Sequence, residues 1–389
     1  MKKIGLILAN PLTNYGAHLQ AFATQYVIDR FGVQTFIIDM THLKCLKYYF
    51  DFGFIWYAIK TIYSKVFCKH IEDSYDETFI SNISNRAQLA KKFRARMLHD
   101  EIEYSNYNAL VADAKNFDVV IIGSDQMWLP GSSFSYINSL RFVPNGVIRA
   151  SYATSLGVSK YPRYCWHSAK KMWNKMNYVS VREKQGADIV KKVTKGNVKP
   201  EVVLDPTYLL SKAEWEEVVP IQKMCDTKYV LCYFLGNDEE SKLCAKKYAE
   251  CKKLRLVSIL SCESFSKIDR TFADQIVGAA TPEEFINWIR GAECVFTDSF
   301  HGLTFSVINH VQFYVFYRVR KDSSLSRNSR IDSILNTWNL SDRVIVNKDI
   351  DWHSFIEEEI DYALVEQQVI LQRIKSLKFL NSIIRDENK

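Results

Sequence analysis

The sequence predicts an α/β protein built of two doubly wound, Rossmann-like domains that face a cleft. Three observations predict it. The chain has 389 residues, which suits two domains better than one. In both halves, short apolar runs of strand length alternate with segments of helical periodicity. Polar turns follow several of the apolar runs, and ligands of open α/β sheets bind at this position, beyond the carboxyl ends of the strands.

The N-terminal half begins with a strand, a polar loop, a helix over 17–31 and a second strand. A strand–helix–strand unit of this length predicts a parallel pair, because a parallel connection needs a crossover. We place the first domain at residues 1–205. Its predicted strands are 4–9, 34–39, 118–122, 149–153, 178–181 and 202–204.

The second half repeats this alternation over residues 206–345, which we predict to be the second domain. Its predicted strands are 229–234, 255–260, 294–297 and 312–316, and its predicted helices are 239–254, 282–291 and 303–309. The final stretch, 350–385, has the pattern of one or two long helices. We expect these helices to cross back and pack on the first domain.

Composition and charge narrow the functional class. Lys and Arg number 51 against 44 Asp and Glu, a mildly basic balance that suits an anionic small ligand or an acidic membrane surface. No long basic block or nucleic-acid motif occurs, so we expect no nucleic-acid partner. The nine cysteines show neither a disulfide framework nor zinc-ligand spacing. Neither a signal peptide nor a membrane span is apparent, so we expect a cytoplasmic protein.

Residues 42–70 form an insertion of unusual composition. Nine aromatic residues and five lysines occur there with one acid, Asp51. Such a mixture suits a bilayer interface, where rings lie at headgroup level beside anionic phosphates. We expect peripheral contact with the inner face of the membrane through 45–68, or else packing on the domain or on a second subunit. The aromatic residues are Tyr48, Tyr49, Phe50, Phe52, Phe54, Trp56, Tyr57, Tyr63 and Phe67, and the lysines are Lys44, Lys47, Lys60, Lys65 and Lys69.

A strand-to-helix turn in the second half is the strongest candidate site. An apolar strand over 294–297 stops in the turn Thr-Asp-Ser-Phe-His-Gly, and an apolar helix follows. The amides and dipole at such a helix start favour a phosphate or carboxylate. His301 adds a donor that ionises near neutral pH. We therefore expect an anionic ligand at this turn.

Six segments in order along residues 1–320 resemble the polysaccharide pyruvyl transferase family of bacterial capsule and exopolysaccharide loci. The resemblance implies a fold of the GT-B type. It also implies transfer of an enolpyruvyl-derived unit from phosphoenolpyruvate to two hydroxyls of one sugar. The segments are Asn14-Tyr15-Gly16-Ala17, the run from Ile122 to Trp128, Ala153-Thr154-Ser155-Leu156-Gly157, Ser180-Val181-Arg182-Glu183, the run from Val203 to Thr207, and Asp298-Ser299-Phe300-His301-Gly302.

Ketal formation needs positive charge and hydrogen-bond donors for the leaving phosphate. We predict that His301 binds the donor phosphate and acts as a general acid, with Gly302 beside it at the helix start. The alternative is a histidine that only closes the turn. Arg182 follows an apolar strand and suits bidentate recognition of an anion. Its alternative is an ion pair with Glu183 or Asp205.

The donor side departs from the family pattern at one position. Many members carry an arginine two residues before the histidine, where this chain has Ser299. We keep Ser299 among the donor-side residues and expect a substitute arginine from the segment that follows. The candidates are Arg318, Arg320, Arg327 and Arg330, and Arg318 is our first choice.

Polar residues after the first-domain strands are the predicted acceptor side. Asn14 and Gly16 lie in the loop after the first strand, where Asn14 could instead cap the helix. Asp125 ends a buried strand and is the predicted general base, or else a turn cap, with Gln126 beside it. Asp298 is a second candidate base, or else it bonds amides of its own turn.

Two aromatic residues complete the predicted acceptor side. Trp128 and Tyr15 could stack on a sugar face, or else belong to the core.

The resemblance implies a galactose acceptor linked to undecaprenyl diphosphate. We expect no required cofactor and no metal site, although a loosely held magnesium ion would leave no motif. No G-x-G-x-x-G or P-loop pattern is present. The alternatives are a GT-B glycosyltransferase that uses a nucleotide sugar and a non-catalytic scaffold of polysaccharide assembly. The oligomeric state stays open.

Overall fold

The computed structural model of the protein describes residues 1–40, 43, 52–67, 77–263, 266–318 and 328–386. Of the aromatic insertion it describes Leu43 and the segment 52–67. Two of the four candidate arginines, Arg320 and Arg327, lie outside the described residues.

A five-stranded parallel sheet forms the centre of the first domain. Its strands run in the order β3-β2-β1-β4-β5, with Leu6 beside Ile121 and Gly5 beside Phe36 in register. A short parallel pair, β6 and β7, continues the sheet beyond β5 through isolated bridges. The strands are β1 (Lys3–Ile7), β2 (Gln34–Asp39), β3 (Glu101–Glu103), β4 (Val119–Ile122), β5 (Ile148–Ser151), β6 (Ser180–Val181) and β7 (Glu201–Val202).

Helices cover both faces of this sheet, which explains why β1 and β4 are continuous apolar runs. Asn14 caps the first helix, because its side-chain oxygen accepts from the Ala17 amide at 3.2 Å. The helix therefore starts at Tyr15, two residues before the predicted start. The helices are α1 (Tyr15–Asp29), α2 (Phe52–Phe67), α3 (Glu77–Met97), α4 (Tyr107–Asp113), α5 (Trp166–Trp173) and α6 (Lys184–Thr194).

The second domain repeats the topology of the first. Its parallel strands run in the order β10-β9-β8-β11-β12, so each sheet has its first strand in the centre and its fourth beside it. The strands are β8 (Tyr229–Tyr233), β9 (Arg255–Ile259), β10 (Gln275–Val277), β11 (Cys294–Thr297) and β12 (Gln312–Val315). The helices are α7 (Lys212–Val218), α8 (Glu239–Lys252), α9 (Pro282–Arg290), α10 (Phe300–Ile308) and α11 (Ser329–Thr337).

This order creates one topological switch point in each domain. In the first domain it lies between β1 and β4, and in the second between β8 and β11. Ligands of open α/β sheets bind outside the carboxyl ends of the strands at such a point. The segments after β1, β4 and β11 carry most of the residues predicted from the sequence to meet substrate, while Arg182 follows β6 and Arg318 follows β12.

The last helix, α12 (Tyr362–Arg385), returns to the first domain as predicted. Ser376 accepts from the Leu204 amide at 2.9 Å, and Lys2 donates to the Ile384 carbonyl at 2.8 Å. The predicted helical start was wrong. Residues 352–361 are not helical, because Trp352 is buried against Tyr248 of α8 at 4.9 Å and donates to the Cys244 carbonyl.

The sequence pattern did not predict the strands β3 and β10 or the helices α2 to α7 and α11. The two strands have three residues each and lie at sheet edges, too short to show a period. The seven cysteines within the described residues are free thiols, four of them buried. Across the described part of the chain, no helix combines the length and apolar content needed to cross a bilayer.

Candidate active site

The two switch points meet across the cleft. Gly16 in α1 lies against His301 in α10, and a Cβ atom at position 16 would overlap with the imidazole ring. Glycine is therefore required here by close approach. The first turn of α1, which follows the loop after β1, and the first turn of α10 are in direct contact through this pair.

A buried ion pair lies beside this contact. Arg182, which follows β6, donates to Asp205 with Nη1 2.5 Å from Oδ2. Ser124 donates to the same oxygen at 2.8 Å, and Thr207 donates to Oδ1 at 2.7 Å. Burial opposes ionisation of Asp205, but Arg182, His301 and Thr207 outweigh it and keep its pKa below the usual value. The ion pair given above as an alternative for Arg182 is thus present.

That pair leaves part of the arginine unsatisfied. Nε and Nη2 of Arg182 are buried and have no hydrogen-bond partner among the described residues. Nη2 lies 3.8 Å from Asp125 Oδ1, too far for a hydrogen bond. Since buried donors without partners are costly, this guanidinium is arranged to receive a further acceptor.

Arg330 of α11 brings a second guanidinium to the same place. Its Nη1 lies 3.9 Å from Asp125 Oδ1, and with the Gln126 amide oriented to accept, Nη2 lies 2.6 Å from that oxygen. The Phe300 ring lies 4.0 Å from Arg182 Cζ and 5.8 Å from Arg330 Cζ. Burial, followed by repulsion from Arg182, lowers the pKa of Arg330 to about 9. Arg330 stays cationic at neutral pH. An anion between the two guanidiniums would offset both the burial of the Arg330 charge and its repulsion from Arg182.

His301 completes the group. Its Nε2 is buried without a hydrogen-bond partner in the described structure and lies 4.0 Å from Asp205 Oδ2. Burial lowers the pKa of His301 to about 4, so the free imidazole is neutral at pH 7. We call Asp125, Arg182, Asp205, His301 and Arg330 the switch-point cluster.

The start of α10 is held by a cap and a glycine. The Ser299 hydroxyl accepts from the Gly302 amide at 3.3 Å, so this side chain closes the helix. A Cβ atom at position 302 would lie 2.5 Å from Thr297 Oγ1, which explains the glycine. Ser299 therefore holds His301 in place.

Asp298 and Arg318 make their hydrogen bonds outside the switch-point cluster, although the charge of Arg318 still contributes to the lowered pKa of Arg330. The Asp298 carboxylate accepts from the amides of Leu235 and Gly236 at 2.7 and 2.8 Å, tying the turn after β11 to the turn after β8. Burial raises the pKa of Asp298, yet both oxygens face backbone. Arg318 donates to the Asp298 carbonyl at 3.1 Å and lies 3.5 Å from Glu263.

The predicted stacking role of two aromatic residues is also corrected. Trp128 is fully buried and packs on Trp173 at 5.8 Å. Tyr15 is buried between the domains, stacked on Phe285 at 4.9 Å with Arg86 over its other side. Neither ring has a free face for a sugar, so the core role applies.

An open cavity of about 360 Å³ adjoins the cluster on the first-domain side. Asp125 and Gln126 form one wall of it, so these two residues separate the guanidiniums from the cavity. Asn10 also lines it, and its Oδ1 is buried without a partner among the described residues. The lining residues are Ala9, Asn10, Pro11, Met40, Leu43, Asp125, Gln126, Met127, Ser135, Ile137 and Asn138. No group of three potential metal-ligating side chains was found in the described residues.

Comparison with protein families matches residues 14–318 to the model of polysaccharide pyruvyl transferases. The chain belongs to the polysaccharide pyruvyl transferase family. The match covers both switch points and supports pyruvyl transfer in polysaccharide biosynthesis. No match was found among curated proteins.

Solved structures show the fold of this pyruvyl transferase family member. S. aureus MnaA in complex with UDP is similar over 100% of this chain and 98% of that one, with a TM-score of 0.53 and 12% identity. A UDP-N-acetylglucosamine 2-epimerase is similar over 99% and 95%, with a TM-score of 0.51 and 6% identity. At these identities the likeness shows the fold alone, and it confirms the predicted GT-B type.

Sequence reasoning on this pyruvyl transferase missed three parts of the site. Asp205 was considered only as a counter-ion, although it also lies near His301. Arg330 was one of four candidates to replace the arginine missing at Ser299, and the motif order gave no way to choose it. Asn10 follows the first strand within a polar loop, a signal that could have identified it.

The Gly16–His301 contact gives a first prediction. Gly16→Ala should destabilise the fold by about 1–3 kcal/mol, since overpacking forces the ring to move. In a His301→Gly background the same change should cost much less, because both the ring and the Cβ atom of residue 301, which would lie 2.5 Å from the new Cβ, are gone. Urea denaturation of the four proteins measures this coupling. Equal costs in both backgrounds would show that the two residues are not in contact.

The lowered histidine pKa gives a second prediction. His301 resists protonation in the folded protein, while the unfolded chain takes up a proton near pH 6.5. Stability contributed by the neutral ring is therefore present above pH 6.5 and is lost as pH falls towards 4. When the pH is lowered from 7.5 to 4.5, the free energy of unfolding should fall by about 2 kcal/mol less in His301→Gln than in the natural protein. A variant with the same pH slope as the natural protein would contradict the buried, neutral state.

Proposed function

We propose that this protein transfers the enolpyruvyl-derived unit of phosphoenolpyruvate onto two hydroxyls of one sugar residue, forming a pyruvate ketal and releasing phosphate. The observation that carries the proposal is the switch-point cluster. Buried donors of Arg182 and His301 lack partners there, in a chain that belongs to the pyruvyl transferase family.

The donor would bind on the second-domain side of the cluster. Phosphoenolpyruvate carries a phosphate and a carboxylate, and two guanidiniums beside one imidazole can pair with both groups. Arg330 takes the part of the family arginine that is missing at Ser299, although it comes from a different helix. Bound phosphate next to His301 raises its pKa, so the ring becomes able to donate a proton to the anion.

The acceptor would bind in the cavity lined by Asp125 and Asn10. A volume of about 360 Å³ falls in the usual range for small-molecule sites, about 300–1,000 Å³. The unpartnered Asn10 oxygen can accept from one sugar hydroxyl. Asp125 lies between this cavity and the guanidiniums, and is the carboxylate placed to take a hydroxyl proton. Galactose on a lipid diphosphate is the acceptor we propose.

The reaction balances with these groups. A proton adds to C3 of phosphoenolpyruvate, and C2 becomes electrophilic. The first sugar hydroxyl adds to C2 and loses its proton. The C2–O bond to phosphate then breaks, and the second hydroxyl adds and loses its proton. Of the two protons lost, one matches the proton added at C3 and the other leaves on phosphate. Arg182 and Arg330 stabilise the charge of the leaving group.

Two arginines provide the test. Arg330→Gln should weaken phosphoenolpyruvate binding by about tenfold to a hundredfold, since it removes a charged hydrogen-bond donor. Arg318→Gln is the comparison variant and should weaken binding less than Arg330→Gln, because Arg318 donates to the Asp298 carbonyl and lies near Glu263, and acts on Arg330 only through repulsion at a distance. Calorimetric titration measures both, and thermal melting checks that each variant is folded.

Phosphate release with lipid-linked or aryl glycosides then tests catalysis. Acceptor-dependent release that His301→Ala lowers by about 100-fold or more supports the proposal. A larger loss in Arg318→Gln than in Arg330→Gln would move the donor site to the turn after β11. Tight UDP-sugar binding without phosphoenolpyruvate binding would favour the glycosyltransferase alternative, and binding of neither would favour the scaffold.

A further inference from the structure

One face of helix α2 is apolar and exposed. Ile55, Ile59 and Ile62 recur at the spacing of one helix face, with Trp56 beside them. Their exposed fractions are 56%, 52%, 61% and 62% respectively. These four large apolar residues fall within eight residues of sequence, and contiguous exposed apolar patches of this kind mark interaction surfaces.

The opposite face of α2 is fixed to the first domain. Phe54 and Tyr57 contact the Phe134 ring at 6.4 and 6.2 Å. Gly53 approaches the Tyr164 carbonyl so closely that a Cβ atom would lie 2.5 Å from it. Because the inner face is packed in this way, the four apolar residues are held outward.

The charge around this face suits an anionic surface. Lys60 is exposed at the flank of the apolar face, with its ammonium 5.1 Å from the centre of the Tyr164 ring. Arg163, one residue before Tyr164, is also exposed. The sequence 52–70 holds three lysines and no acid, and acidic residues begin only at Glu72. Apolar and tryptophan side chains with flanking cations are typical of helices that lie in a membrane interface.

The position of α2 connects this face to the acceptor cavity. Phe134, which supports the helix, directly precedes Ser135 of the cavity wall, and Leu43 of that wall lies in the insertion that leads into α2. The segment that supports α2 is therefore continuous in sequence with a wall of the acceptor cavity.

We propose that the face formed by Ile55, Trp56, Ile59 and Ile62, with Lys60, docks on an anionic lipid bilayer. The helix lies in the interface, with its apolar side chains below the headgroups and Lys60 on the phosphates. The docking follows from the surface itself. Only its purpose, access to a lipid-linked sugar, rests on the proposed function.

Vesicle binding of the full chain tests this inference. The protein should sediment with phosphatidylcholine vesicles that contain phosphatidylglycerol and much less with phosphatidylcholine alone. The triple variant Ile55→Ser, Ile59→Ser, Ile62→Ser should lower the partition coefficient at least about tenfold. Its matched control is Ile221→Ser, Val346→Ser, Ile356→Ser, which removes three apolar residues exposed at 70%, 74% and 85% in other places. The control should bind like the natural protein.

Tryptophan fluorescence gives an independent readout. All eight tryptophans lie in the described residues, and Trp56 is the exposed one among them. Iodide should quench Trp56 in free protein and lose this effect when anionic vesicles are added. Vesicle binding that the first triple variant retains would overturn the proposal, as would failure of the natural protein to bind.

Size-exclusion chromatography with light scattering completes the test. A natural dimer that the first triple variant converts to a monomer, with no lipid binding by either, would assign the face to a second copy. None of these measurements needs phosphoenolpyruvate or a sugar. A failed donor-binding experiment therefore does not contradict membrane docking, and a failed vesicle experiment does not contradict pyruvyl transfer.

Discussion

The rest of the site depends on the buried pair of Arg182 and Asp205. Asp205 binds one arm of the guanidinium together with Ser124 and Thr207, so the carboxylate is fully occupied while the arginine is not. Removing either partner would leave an uncompensated buried charge, which costs several kcal/mol. The pair therefore fixes a cation beside His301 and keeps part of its donor capacity free.

Around this pair the fold buries the side chains of Arg330 and His301, and burial without a charged partner is energetically unfavourable for each of them. Two guanidiniums share the Phe300 ring, and repulsion together with burial lowers the pKa of Arg330 to about 9. His301 is kept neutral by burial, with its pKa near 4. An anion bound among Arg182, Arg330 and His301 would stabilise the positive charge on all three side chains. A cluster whose acids nearly balance its bases is thus still expected to favour a ligand with anionic groups.

Much of the fold could be predicted from the sequence, because buried parallel strands are continuous apolar runs such as Val119–Ile122. The same runs placed Asp125, Arg182 and His301 at strand ends. Burial of Tyr15 and Trp128 could not be predicted, since an aromatic residue beside a strand end suits a core as well as a sugar. Arg330 comes from a helix beyond the motifs, and only the tertiary packing of α11 on α10 brings it to the cluster.

The most direct test is a crystal structure of the protein with phosphoenolpyruvate bound. The account predicts oxygens of the donor within about 2.7–3.2 Å of Arg182 Nη2 and His301 Nε2, and a second anionic group on Arg330. It also predicts that the cavity beside Asp125 stays open for the acceptor. Donor density on Arg318 and the turn after β8, with the switch-point cluster unchanged, would contradict it.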